Sequence, residues 1–270
     1  MTEIKAVFWD LDDTLITTTI IRHQAQRAMI SAVFAALPTK LEITKDRAFE
    51  MVERLVQHFG SSYYVQHIRL LCGELTLNPN LQQELIEIGR QAYRQTFWQI
   101  SAIEGAINTL QALKGKKLQL GLASNGLYPL QMQKLTRVGL KPYFDPNLVF
   151  ISSQFYRKKN HPPVGQHYSR EDVDTPEGLE AAWLSSSIEK PWPLMLNHAL
   201  ERCQCQPNQA IFIGNRTSDI VSAKLVGVWS VHIKAHSTPE PAALLSIEEP
   251  DFFINSVADV FSVIDAVGEL

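Results

Sequence analysis

Cysteine is scarce in this chain: Cys72, Cys203 and Cys205 are the only three in 270 residues. Three thiols build no disulfide framework, and Cys203-Gln204-Cys205 has no second pair with which to make a zinc site. They are expected to remain plain thiols in a reducing cytoplasm. No apolar run is long enough to span a bilayer, and the chain enters a strand so soon after Met1 that a signal peptide is not expected. Positive charge is not in excess either. The 25 Lys and Arg stand against 28 Asp and Glu, and the net charge of −3 provides no basic field for nucleic acid. At 45% hydrophobic and 20% charged residues the composition is that of a folded soluble protein, with enough chain for a core domain and a smaller one. The expectation is a cytoplasmic monomer or homodimer that engages neither membrane nor nucleic acid.

What the chain does have is a crowd of like charges near its start. Ala6-Val7-Phe8-Trp9 is an uninterrupted apolar run of the kind found in a parallel strand covered on both faces, and Asp10-Leu11-Asp12-Asp13-Thr14 follows at once. In open parallel α/β sheets the ligand crevice lies outside the carboxyl ends of the strands, which is where Asp10 and Asp12 emerge. Crowded carboxylates raise one another's pKa unless positive charge sits among them, and a hard cation such as Mg²⁺ is the usual remedy. An acidic turn or helix cap accounts for Asp-Asp-Thr equally well at this point.

Beyond Leu15 the apolar residues recur at helical spacing. Ala25, Ala28, Met29, Ala32 and Val33 predict one helix; Ala48, Met51, Val52, Leu55 and Val56 predict a second. Two more carry Tyr64, Val65, Ile68 and Leu71, and then Leu81, Leu85, Ile88, Ala92 and Phe97, broken by Asn78-Pro79-Asn80. Residues 17–100 therefore read as a helical subdomain. After it, helices at Ala106–Leu113, Leu130–Val138, Leu194–Arg202 and Ile220–Leu225 alternate with strands at Leu118–Ala123, Leu148–Ile151, Ala210–Ile213, Val228–Ile233 and Phe252–Ile254. That alternation specifies an α/β core, a doubly wound parallel sheet of Rossmann-like type assembled from residues 1–16 and 101–270. A polar, proline-bearing stretch at 154–187 interrupts it and reads as an insertion, either a lid or partner loop or an ordinary surface excursion.

Three strand exits carry polar residues: Asp10 to Thr14, Ser124-Asn125-Gly126, and Gly214-Asn215-Arg216-Thr217-Ser218-Asp219. A fourth element, Lys190-Pro191-Trp192-Pro193, precedes a helix. Taken in chain order, with the Lys190 element third and the Gly214–Asp219 exit fourth, they resemble the four motifs of the haloacid dehalogenase-like hydrolase superfamily over nearly the whole chain. The helical segment resembles the cap that the phosphatase branch of that family inserts between its first and second motifs.

The resemblance implies Asp10 as a nucleophile that forms an aspartyl-phosphate, hydrolysed in turn by water. It implies Asp12 as the acid and base serving the leaving oxygen and the attacking water, with Thr14 steadying the loop. Ser124 and the amides of Asn125 and Gly126 are implied to bind phosphoryl oxygens, with an N-cap as the ordinary alternative for Ser124. Lys190 is implied to neutralise phosphoryl charge and steady Asp10; its ordinary alternative is a solvated lysine, and Lys158 and Lys159 compete for the role. Asp10, Asp12, Asn215 and Asp219 are the implied holders of Mg²⁺ or Mn²⁺. Asn215 departs from the pattern, because family members usually place an acid there, and a neutral amide binds the cation less tightly. His23 on the first helix reads as a substrate contact or as a structural histidine.

The function so implied is an Mg²⁺-dependent phosphatase of a small phosphorylated metabolite, with a phosphate-transferring mutase sharing the same motifs. Asp12 disfavours the dehalogenase branch, whose members lack an acid two residues after the nucleophile. The reading from a different class is a binding or regulatory protein on the same fold, weakened at Asn215.

Overall fold

The computed structural model describes residues 3–37, 43–59, 64–74, 79–155, 188–234, 247 and 249–269. Strands β1 (Ala6–Trp9), β2 (Gln119–Ser124), β3 (Val149–Ile151), β4 (Ala210–Gly214), β5 (Trp229–Ile233) and β6 (Phe252–Ile254) form one sheet in the order β3-β2-β1-β4-β5-β6. Every neighbouring pair is parallel. Because side chains alternate across a strand, the register decides which residues share a face. Ala6 and Phe8 of β1 and Ala210 and Phe212 of β4 pack in one cluster with Met195 and Leu196. Val7, Trp9, Ile211 and Ile213 therefore face the other way, and all four are fully buried. Both faces are covered, which is why these strands read as continuous apolar runs rather than alternating ones.

The chain order on the sheet reverses at β1. From there β2 and β3 run to one side and β4, β5 and β6 to the other, so the carboxyl ends of β1 and β4 flank the switch point where α/β sheets open their ligand crevice. The helices of this unit after β1 are α5 (Ala106–Gly115), α6 (Tyr128–Arg137), α7 (Leu194–Cys203), α8 (Thr217–Val226) and α9 (Val260–Glu269). Helix α5 packs on β2, α7 on β2 and β3, and α8 on β4 and β5. Two details differ from the periodicity. Helix α8 begins at Thr217 rather than Ile220, because Asp219 in its first turn reaches back to accept the Arg216 amide at 3.0 Å and so closes a helix start three polar residues early. Helix α9, carrying buried Val260, Val263 and Val267, lies beyond the last strand, where no helix was expected.

The second compact unit spans Thr18–Ile100. It holds α1 (Thr19–Ala35), α2 (Lys45–Phe59), α3 (Tyr64–Glu74) and α4 (Pro79–Phe97), and α1 and α4 pack along each other's length. Gly89 permits that approach. A Cβ there would sit 3.0 Å from Val33, 3.2 Å from Ile68 and 3.3 Å from Met29, tighter than ordinary side-chain contact. One turn on, Tyr93 stacks on Tyr64 with ring centroids 4.1 Å apart and on Phe97 at 5.6 Å. His23 belongs to this unit, where its Nε2 lies 3.3 Å from Glu53 and 2.9 Å from Arg22.

No helix among the described residues is long and apolar enough to cross a membrane. Of the 154–187 insertion only Gln154 and Phe155, closing a 3₁₀ turn after β3, fall within the described residues; 156–187, with Lys158 and Lys159, lie outside them.

Candidate active site

Strand β1 delivers Asp10 straight into the switch point, and the ladder continues one residue past the strand, the Asp10 amide donating to the Ile213 carbonyl at 2.8 Å. The next residues fold into a tight turn. The amides of Thr14, Leu15 and Ile16 all converge on the Leu11 carbonyl, with Asp13 at φ 60°. The turn is acidic but caps no helix. Helix α1 starts at Thr19 behind Thr18, five residues beyond Thr14.

Lys190 occupies the centre of the carboxylate cluster. Its Nζ lies 2.5 Å from Asp10 Oδ1, 2.7 Å from Asp219 Oδ1 and 2.9 Å from the Ala123 carbonyl, so three ammonium hydrogens meet three acceptors. At 7% exposure this is no surface lysine. Burial is the largest influence on Asp10 and raises its pKa; Lys190 lowers it, Asp219 and Asp12 raise it again, and the balance stands at about 6. Burial works against the Lys190 ammonium too, but Asp10 and Asp219 outweigh it and hold its pKa above the ordinary lysine value. Asp219 can come this close because residue 214 is glycine. A Cβ at Gly214 would stand 2.3 Å from Asp219 Oδ2.

Asn125 fastens the lysine's backbone. Its Oδ1 accepts the Lys190 amide at 2.9 Å and its Nδ2 donates to the Lys190 carbonyl at 3.3 Å, tying the end of β2 to the Lys190 loop. Gly126, expected to offer its amide to phosphate, gives it instead to Ser152 Oγ at 2.9 Å. Ser152 and Ser153, in the turn after β3, shape this loop, and Ser153 Oγ accepts the Tyr128 amide at the start of α6. Ser124 caps no helix, since α6 starts behind Leu127. Its hydroxyl lies at the carboxyl end of β2, donating to the Asn125 carbonyl at 3.3 Å and accepting from Gln131 at 3.0 Å.

The Asp12 carboxylate turns away from Lys190 toward α6. Lys134 Nζ reaches both its oxygens, at 2.7 Å and 3.0 Å, and Gln131 Nε2 donates to Oδ2 at 2.9 Å. Neither residue was singled out in the sequence, which gave only a helix at Leu130–Val138. The only trace there is their i, i+3 spacing, which places both on one side of α6. The crowded carboxylates are therefore tolerated through two buried lysines as well as through any cation: Asp10, Asp12 and Asp219 against Lys134 and Lys190 leave one net negative charge.

Of the residues implied to hold a metal, Asp10 and Asn215 converge. Asp10 Oδ2 and Asn215 Oδ1 lie 3.5 Å and 3.2 Å from the same Thr14 hydroxyl, all three groups buried. An oxygen-only pair of this kind suits a hard divalent cation. The Asp12 carboxylate is taken up by Lys134, and that of Asp219 by Lys190 and the Arg216 amide. Among the described residues no three His, Cys, Asp or Glu side chains gather as a metal cluster.

The family of haloacid dehalogenase-like hydrolases matches residues 4–227, from the start of β1 to the end of α8. This chain belongs to that family. The hydrolase is 24% identical over 263 residues to glyceraldehyde 3-phosphate phosphatase of Methanopyrus kandleri, covering 97% of each chain. It is 26% identical to phosphoglycolate phosphatase of Vibrio vulnificus, covering 97% of this chain and 96% of that one. Among solved structures it resembles a 2-haloacid dehalogenase from Pseudomonas syringae at a TM-score of 0.62 and 20% identity, over 97% of this hydrolase and 99% of that chain. The fold thus hosts more than one chemistry, and the reaction must be argued from the side chains.

Proposed function

We propose that this hydrolase is a phosphatase of small phosphorylated metabolites, acting through an aspartyl-phosphate on Asp10. The observation that carries the reading is a carboxylate at the switch point, held by the buried Lys190, with a second carboxylate two residues on. The names of the relatives support the substrate class. Asp10 attacks phosphorus, and its fixed position replaces the entropy of an encounter. Asp12 gives its proton to the leaving oxygen, then accepts one from the water that cleaves the acyl phosphate. Lys190 offsets negative charge on the phosphoryl oxygens, and Ser124 orients one of them. Asp10 and Asn215 would hold Mg²⁺ or Mn²⁺, which when bound supplies electrostatic stabilisation of the phosphoryl oxygens. The helical unit at Thr18–Ile100 is read as the cap that selects substrate; its support is a separate four-helix core inserted directly after the first motif.

The reading is tested by a screen that includes glyceraldehyde 3-phosphate, phosphoglycolate and p-nitrophenyl phosphate with Mg²⁺ or Mn²⁺. Turnover of at least one is expected. The nucleophile must be ionised, so kcat/KM should fall as pH drops through about 6, where burial places the Asp10 carboxyl. That acid limb should move to lower pH when the divalent cation is raised, since positive charge beside Asp10 favours its carboxylate. An acid limb that ignores the cation would separate Asp10 from the metal site.

Asn215 decides between an active enzyme and a binding protein on the same fold. Asn215→Asp adds a second carboxylate beside that of Asp10 on the Thr14 side of the cluster, and should lower the Mg²⁺ concentration giving half-maximal activity by about tenfold. Calorimetric titration of both forms checks the ligand assignment independently. Equal affinities would remove Asn215 from the metal site. Tighter binding with no turnover in either form would favour the regulatory reading.

A further inference from the structure

Lys190 stands in a stretch, residues 188–193, that is neither helix nor strand. A lysine carries its charge on a flexible four-carbon stem, so an irregular segment by itself fixes neither the root of the side chain nor its head. The exit of β2 fixes both. The Ala123 carbonyl accepts from Nζ at 2.9 Å, and two residues on, the Asn125 side chain accepts from the lysine's amide at 2.9 Å and donates to its carbonyl at 3.3 Å. Pairing both peptide groups takes a donor and an acceptor on one planar head, which a carboxamide has and a carboxylate lacks. Asn125 is itself held, its carbonyl accepting from Gln131 at 2.8 Å and from the Ser124 hydroxyl at 3.3 Å. Two further ties flank the lysine: Ser152 Oγ donates to the Glu189 carboxylate at 3.3 Å, and Ser222 Oγ to the Trp192 carbonyl at 3.3 Å. These reach the neighbours of Lys190, whereas Asn125 holds the residue itself.

We propose that the Asn125 side chain is a positioning residue for phosphoryl transfer, a brace that keeps the Lys190 ammonium beside Asp10 and so at the phosphoryl group that Asp10 attacks. The inference rests on the phosphatase reading and on Lys190 as its phosphoryl cation. It is separate from the phosphate contact implied for the Asn125 backbone amide, which a side-chain substitution leaves in place. The brace supplies fixed geometry. A charged group stabilises a transition state without reorganising only where it already stands in place, and a small misplacement costs orders of magnitude in rate.

Two measurements test it, and the first needs no substrate. Lysines of the whole protein are acetylated with an N-hydroxysuccinimide ester and followed by mass spectrometry. In wild type, Lys190 and Lys134 are both buried and ion-paired, and both should react slowly. Asn125→Ala should speed labelling of Lys190 about tenfold, by local opening, and leave Lys134, at 4% exposure on α6, unchanged. The second measurement is a double-mutant cycle on whichever ester the wild type hydrolyses, at one Mg²⁺ concentration. Asn125→Ala should lower kcat/KM about tenfold, with the loss in kcat rather than KM. In a Lys190→Met background the same substitution should cost less than about twofold, because the group it positions is gone. If thermal melts show that Asn125→Ala fails to fold, Asn125→Ser, whose shorter side chain holds at most one of the two peptide groups, carries both measurements. Equal losses in the two backgrounds, unchanged labelling of Lys190, or an equal rise at Lys134 would each overturn the brace. A wild type that hydrolyses no ester would instead overturn the phosphatase reading, and the positioning role with it, whatever the labelling shows.

Discussion

Asp10→Asn is expected to abolish turnover, by roughly 10⁴- to 10⁶-fold, the scale on which losing a nucleophile registers. The substitution is nearly isosteric and removes the proposed nucleophile. It should leave the fold standing. Lys190 keeps Asp219 at 2.7 Å and the Ala123 carbonyl at 2.9 Å as partners, so its charge is not stranded. An amide also resembles the protonated carboxyl that burial already favours below about pH 6. The decisive measurements are single-turnover kinetics with a radiolabelled phosphate ester and a thermal melt. Wild type should trap an acid-stable, hydroxylamine-sensitive phosphoprotein, and the variant none. Activity within tenfold of wild type would end the covalent mechanism.

The second large effect is expected at Lys190. Its removal in Lys190→Ala leaves Asp10 and Asp219 facing one another without their shared cation, and breaking a buried ion pair from one side costs about 3–5 kcal/mol. Denaturant unfolding should show a loss of that size. Turnover should fall by about 10²-fold or more, because phosphoryl charge goes uncompensated and Asp10 is driven further toward its neutral form. Lys158→Ala and Lys159→Ala should each stay within about twofold of wild type. The opposite ranking would transfer the third motif to that pair and leave Lys190 a structural cation.

These two residues differ in how visible they were. Asp10 was legible because an apolar run ending in Asp-x-Asp is a local pattern: the strand and its exit are adjacent in the chain, and the sheet has only one place to put them. Lys190 was legible only by analogy. Its partners, Asp10 and Asp219, lie 180 and 29 residues away, and the insertion between β3 and α7 offered Lys158 and Lys159 as rivals. Gly126 differs again. The Ser-Asn-Gly motif was seen, but the turn after β3 brings Ser152 to its amide, and no spacing in the second motif announces that.

The sequence by itself determined the strands, their burial on both faces, the helical segment after the first motif, and the place where Asp10, Ser124 and the Asn215 loop would emerge. Periodicity and strand exits depend on neighbours a few residues apart, which one chain displays directly. Only the tertiary structure decided which charges pair. The periodicity gave α6 as a helix and no more; its Lys134 and Gln131 emerged as the partners of Asp12 only in the folded chain. Charge compensation is a matter of ångströms between distant segments, and a lysine's burial depends on what folds around it. That is why the crowding of Asp10 and Asp12 could be read from the chain, and Lys190 reached through the family resemblance, while Lys134 appeared only once the fold had brought it to Asp12.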